Sequence, residues 1–91
     1  MAEVAVRFQP TPNPNAGKFV VDRRLVDGPG SRSFDSAAAA AGDPLAEALF
    51  ALDGVVGLFM ADDFVTVLKS PAAAWAELVP RASEAVRRVL R

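Results

Sequence analysis

Gly54–Lys69, GVVGLFMADDFVTVLK, decides how the rest of the chain is read. Two apolar arms, Val55–Met60 and Phe64–Lys69, flank the polar Ala61-Asp62-Asp63. Both arms are rich in Val, Phe and Leu, which suit a pleated, half-buried surface, so the stretch predicts a β-hairpin. In the second arm Phe64, Thr66 and Leu68 alternate with Val65, Val67 and Lys69, the period of two that marks a strand with unlike faces. The first arm is apolar on both faces, which places it nearer the centre of a sheet. Asp-Asp lacks the strong turn preference of Asn-Gly, so a turn of roughly three or four residues is expected. A lone hairpin is marginal in water; it needs further strands and a layer packed on its apolar face.

The flanking segments supply both. Upstream, Asp43–Asp53 predicts a helix: Asp43 suits the N-cap, Pro44 the first helical position, and Leu45, Leu49 and Leu52 recur at helical spacing. Gly54 then suits a left-handed position that ends the helix and opens the hairpin. Downstream, Ser70-Pro71 repeats the cap-then-proline signal. The segment after it, with Trp75, Leu78 and Val79 on one stripe, reads as a C-terminal helix kinked or restarted at Pro80.

Nearer the N-terminus, Glu3–Gln9 alternates as a strand that Pro10 stops, and Lys18–Arg23 pairs with it, Phe19 and Val21 facing the core. Asp27-Gly28-Pro29-Gly30 is a turn, and Ser31–Asp35 a short third strand anchored by Phe34. Ser36–Ala41 is a loop or weak helical turn, since its alanines favour helix but carry no large apolar stripe. The order is β-β-(β)-α-β-β-α. It predicts an α+β fold with a largely antiparallel sheet and two helices packed on one face, in a single domain over 1–91. Phe19, Leu49, Phe64 and Trp75 are the expected large core residues.

Bulk composition narrows function by exclusion. The 91 residues are 52% hydrophobic and 23% charged, a globular balance, and the net charge of −1 offers no overall pull toward nucleic acid or an anionic membrane. No apolar run approaches the ~20 residues of a membrane span. MAEVAVRFQP has no basic segment leading an apolar one, so no signal peptide is expected, and a cytoplasmic location is. Cysteine and histidine are both absent. Within this polypeptide, therefore, no thiolate or imidazole can act as nucleophile, base or soft-metal ligand. The glycine-rich phosphate loop, GxSxG and HExxH are missing as well, so no catalytic, cofactor-binding or metal-binding residue is assigned and a non-enzymatic role is expected.

One segment stands out as a candidate partner-binding surface. In Thr11–Phe19, TPNPNAGKF, each proline fixes its own φ and keeps the residue before it out of the helical region, while Asn13 and Asn15 suit local turns. The result is a stiff loop. It serves either as a rigid connector, the reading composition favours, or as a recognition loop presenting Thr11, Asn13, Asn15 and Lys18.

TPNPNAGKF, then DPLAEALFALDGVVGLFMADDFVTVLK from Asp43 to Lys69, then Trp75 and its helix, resemble in that order the N-terminal domain of Nfu/NifU-type iron–sulfur scaffold proteins, from about Val6 onward. The family pattern usually carries a bulky apolar residue before the Lys-Phe pair, where this chain has Gly17, and Ser-Pro-Leu-Ala at the helix start, where it has Asp43-Pro44-Leu45-Ala46. In full-length members a second domain with a Cys-x-x-Cys motif holds the cluster. The resemblance thus implies an interaction module supporting iron–sulfur cluster assembly or delivery. It would not ligate the cluster itself, and would act alone or beside a separate cysteine-bearing scaffold or client protein. A monomer is expected rather than an oligomer, with no nucleic acid or membrane partner. The alternative is the same fold used as a regulatory or protein-binding domain unrelated to clusters.

Overall fold

The computed structural model describes residues 4–26 and 30–90. Five strands, β1 (Val6–Pro10), β2 (Ala16–Val21), β3 (Ser31–Phe34), β4 (Val55–Ala61) and β5 (Phe64–Lys69), form one sheet in the order β1-β2-β5-β4-β3. Every neighbouring pair is antiparallel. Helices α1 (Pro44–Phe50) and α2 (Trp75–Leu90) pack on each other, α1 against β4 and α2 against β1. The architecture is the α+β arrangement read from the sequence. The core lies between sheet and helices, with Phe19, Leu49, Met60, Val65, Val67 and Val86 fully buried.

The hairpin departs from expectation in two ways. Ala61 pairs with Phe64, so the turn is just Asp62-Asp63, with Asp62 at φ +45°. Tertiary contacts hold this turn where local sequence does not. The Asp63 carbonyl accepts the Val21 N–H, and the Asp62 carbonyl accepts those of Leu25 and Val26, so the chain leaving β2 closes over it. The central strand is β5, not β4. The second apolar face of β4 is instead turned outward, leaving Val56 50% and Phe59 39% exposed. A register shift between Val55 and Gly57 puts the extra residue, Val56, at the edge of that face.

Strand ends moved for identifiable reasons. β1 runs through Pro10, which sits opposite Gly17 on an edge strand, where a missing N–H is tolerated. β2 begins at Ala16 rather than Lys18, because the Ala16 N–H is turned back to the Asn13 carbonyl and Ala16-Gly17 pair with Leu68-Val67. β3 ends one residue early, with Phe34 packed against the core. Of the turn expected at Asp27–Gly30, residues 27–29 lie outside the described residues; Gly30 has φ +123°. Ser36–Ala41 forms helical turns that bury Ala40.

Helix α1 starts where its cap predicts, whereas Ser70-Pro71 opens only a turn, the Ala73 N–H bonding the Ser70 carbonyl at 3.0 Å, and α2 starts at Trp75 rather than at Ala72. Asp43 caps α1, its Oδ1 accepting the Ala46 N–H at 3.1 Å while Oδ2 accepts Arg32 of β3 at 3.2 Å. Helix α1 stops at Phe50, three residues before Asp53, in a turn where the Leu52 N–H bonds the Leu49 carbonyl. Gly54 has the expected left-handed backbone, φ +94°, at the end of that turn. A Cβ there would also lie 2.6 Å from Ala73 Cβ. Gly54→Ala should therefore lower the unfolding free energy by about 1–2 kcal/mol, measurable by denaturant titration. Helix α2 is continuous through Pro80, with no restart there. It starts at Trp75, so the proline falls early, and the carbonyl it leaves without a donor belongs to exposed Ala76. At the other end, Arg23 donates to the Leu90 carbonyl at 3.1 Å, tying the end of β2 to the helix terminus.

Candidate functional site

The Thr11–Lys18 segment is built as a latch. Thr11 Oγ1 donates within the loop, with the Asn13 and Ala16 carbonyls in reach at 3.0 and 2.8 Å, and accepts the Asn13 N–H. Asn13 Oδ1 accepts the Asn15 N–H at 2.9 Å, the local turn expected of asparagine. From there the contacts become long-range. Trp75 Nε1 donates to the Pro14 carbonyl at 2.9 Å, and Lys69 Nζ donates to Asn15 Oδ1 at 3.0 Å. The Lys69 N–H bonds the Asn15 carbonyl at 2.8 Å.

Lys69 is the unusual member of this group. It is 8% exposed, and its ammonium is met by neutral acceptors, Asn15 Oδ1 and the Ser70 carbonyl at 3.3 Å, with the Trp75 ring centroid 5.7 Å away. A buried cation is tolerated when its hydrogen bonds are met, and here the loop supplies one of them. The alternation of β5 carried the signal for this burial, since it sets Lys69 on the same face as Val65 and Val67.

Beneath the loop lies an aromatic cluster. Phe8 stands 5.1 Å from Phe19 and 5.2 Å from Trp75, centroid to centroid. A Cβ on Gly17 would come within 2.4 Å of Phe8 Cε1 and 2.9 Å of Trp75 Cη2. The two rings thus fill the space that a side chain at position 17 would need. Trp75 packs against the core but is half-buried rather than largely buried, because its pyrrole edge reaches the exposed loop. Phe64, also expected in the core, lies half-buried on the opposite face of the sheet, since it alternates with buried Val65.

The four candidate binding residues are consequently divided. Thr11 and Asn15 are engaged in fixing the loop, and Asn13 is exposed at its tip. Lys18 is on β2 rather than in the loop. Its side chain is on the uncovered face, where Nζ lies 4.2 Å above the Phe64 ring. Phe8, Lys69 and Trp75, which hold the loop, are contacts that sequence reasoning did not assign.

Elsewhere, Asp22 sits beside Arg23, whose guanidinium hydrogen bond, together with the Ala5 N–H, holds its carboxyl below the usual carboxylate range. Among the described residues no group of three or more acidic side chains converges as a metal site. Among the same residues no helix is long and apolar enough to cross a membrane.

Comparison with known proteins places this geometry. NifU-like protein 4, mitochondrial, of Arabidopsis thaliana is 38% identical over 81 residues, covering 89% of this chain and 28% of that protein. The NFU1 iron-sulfur cluster scaffold homolog, mitochondrial, of Drosophila willistoni is 37% identical over 75 residues, 82% of this chain and 26% of that protein. The chain therefore spans little more than a quarter of the length of these relatives. The solution structure of a NifU-like protein from Saccharomyces cerevisiae superposes with a TM-score of 0.84 at 25% identity, over 94% of this chain and 77% of that one. A crystal structure of a Staphylococcus aureus protein shares the fold, with a TM-score of 0.77 at 20% identity over 93% and 99% of the two chains. The family model described as scaffold protein Nfu/NifU N terminal matches residues 6–91, from the first strand through the helix that carries Trp75, and the chain belongs to that family.

Proposed function

We propose that this domain is a non-enzymatic interaction module in iron–sulfur cluster assembly or delivery, and that it does not ligate the cluster itself. One observation carries the second half of the reading: the 91 residues hold neither cysteine nor histidine. Clusters are held by Cys thiolates, with histidine as the partial substitute. The available side-chain donors are eleven Asp and Glu carboxylates, hard ligands suited to magnesium or calcium. The first half is supported by the relatives whose printed names call them iron-sulfur cluster scaffolds. The cluster is thus cargo held by cysteines outside these 91 residues, and this domain contributes protein contact to the partner that bears them. Asn13, exposed although its Oδ1 holds the Asn15 N–H, and Lys18 on β2 are the residues proposed to meet that partner, while Thr11 and Asn15 keep the loop in shape.

Purified protein supplied anaerobically with iron and sulfide should stay colourless and keep no stoichiometric acid-labile sulfide after desalting. A retained visible-absorbing cluster on the isolated chain would overturn the ligand argument. Added to a cluster-loaded, cysteine-bearing scaffold, the domain should change the rate of cluster transfer to an apo-acceptor. Asn13→Ala and Lys18→Ala should blunt that effect; Lys18→Ala should hold stability within about 0.5 kcal/mol, and Asn13→Ala, which also loses the bond to the Asn15 N–H, should cost about 1 kcal/mol. An unchanged transfer rate at saturating domain would count against the assembly role.

A further inference from the structure

The helices cover one face of the sheet and leave the other uncovered. Along that face the strand register brings Val20, Phe64, Phe59 and Leu68 into one apolar stripe across β2, β5 and β4. Phe59 and Leu68 are 39% and 38% exposed, and the Phe59 and Phe64 rings are 6.2 Å apart. Two cations border the stripe on its β1–β2 side, Arg7 opposite Val20 and Lys18 opposite Thr66. The strand positions facing this side hold no Asp or Glu, and neither Arg7 nor Lys18 is in an ion pair among the described residues. Carboxylates rim the face at its two ends: Asp22 and Asp63 share a pocket with Arg7 and Val20, and Asp35 shares one with Ser33, Phe59 and Leu68.

We propose that this uncovered face is a docking surface for an amphipathic helix that carries acidic residues along one flank of its apolar stripe. Three observations select that occupant. Charge comes first. Lys18 lies in the middle row of the sheet, Gln9-Lys18-Thr66-Phe59-Ser33, which has no carboxylate to answer it, so the complement must come from the partner. Size comes next. From Lys18 on β2 to Phe59 on β4 is two strand spacings, about 10 Å, matching the diameter of roughly 10–12 Å of a helix with its side chains. Chemistry is the third: exposed aromatic rings beside a cation are the anchor type that dominates interface energy. Phe64 also holds Lys18 over its ring, which orders the ammonium before a carboxylate arrives. This inference rests on the sheet and not on the cluster reading, and each can fail without the other.

The test uses a synthetic helical peptide with leucines on one face and glutamates along one flank, and a twin with lysines in place of the glutamates. Titrated into the isotope-labelled chain, the glutamate peptide should shift the amide resonances of Val20, Phe59, Phe64 and Leu68 and leave those of Leu49 and Val86 in place. Phe59→Ser and Lys18→Glu should each weaken its dissociation constant by about tenfold or more. Both positions are partly exposed, so the thermal midpoint should hold; if Phe59→Ser does not fold, Leu68→Ser takes its place. Lys18→Glu should also turn the preference toward the lysine peptide, which general loss of apolar contact would not do. Equal binding of the two peptides, shifts confined to α1 and α2, or no binding at all would overturn the proposal. So would a dimer in sedimentation that Phe59→Ser abolishes, because that makes a second copy the occupant.

Discussion

Trp75→Ala should lower the unfolding free energy by about 3 kcal/mol, the low end for losing a large aromatic side chain from a packed site because this one is half-buried. The indole is the contact point of three elements. It stacks at a tilt on Phe8 of β1 and Phe19 of β2, and it donates to the Pro14 carbonyl in the loop. It also flanks the buried ammonium of Lys69, so truncation would admit water beside a cation now screened by a ring. Circular dichroism in a denaturant titration reads the change, since the chain has a single tryptophan and the variant none. Trp75→Phe separates the contributions. It keeps most of the ring and loses the N–H, and should cost about 1 kcal/mol, the net worth of a hydrogen bond whose acceptor can turn to water. A midpoint unchanged in Trp75→Ala would mean that Trp75 is a surface contact residue and that the loop stands without it.

Gly17→Val should cost a similar 2–3 kcal/mol for the opposite reason. Nothing is removed; instead, atoms are forced into space that Phe8 and Trp75 already fill. The new Cβ would start 2.4 Å from Phe8 Cε1, well inside contact distance, and the valine methyls add to the crowding. Phe8 in turn leans on Phe19, which is fully buried, so the ring cannot swing inward. In a Phe8→Leu background, which removes the clashing edge, the cost of Gly17→Val should fall by about 1 kcal/mol or more. Strictly additive costs would show that the strain lies in the strand backbone and not in the ring. The outcome bears on how this chain fits its family. The glycine and the aromatic pair form one packing solution, and introducing a bulky residue at position 17 alone should be harmful.

Much of this protein is decided by short-range chemistry. Asp43-Pro44 starts α1 because a carboxylate can take the Ala46 N–H and a proline lacks an N–H that would go unused there. Gly54 ends the connection because its backbone must be left-handed. Alternation in Phe64–Lys69 assigns Val65 and Val67 to the core, and it assigned Lys69 with them. The absence of cysteine and histidine bounds the cluster chemistry with no structure at all.

What local sequence could not decide is where equally suited surfaces go. An apolar β4 reads the same whether its second face meets another layer or is left open, so the exposure of Phe59 and the half-exposure of Phe64 became visible with the strand order. The hairpin turn is two residues because the chain leaving β2 bonds the Asp62 and Asp63 carbonyls, contacts some forty residues apart in sequence. The candidate loop divides by the same logic. Thr11, Asn13 and Asn15 have the turn chemistry their neighbours predict, but which of them remains free depends on Lys69 and Trp75, more than fifty residues away. Periodicity and capping act over a few residues and are written in the sequence. The partner of a face is set by topology, and topology exists only once the distant strands have paired.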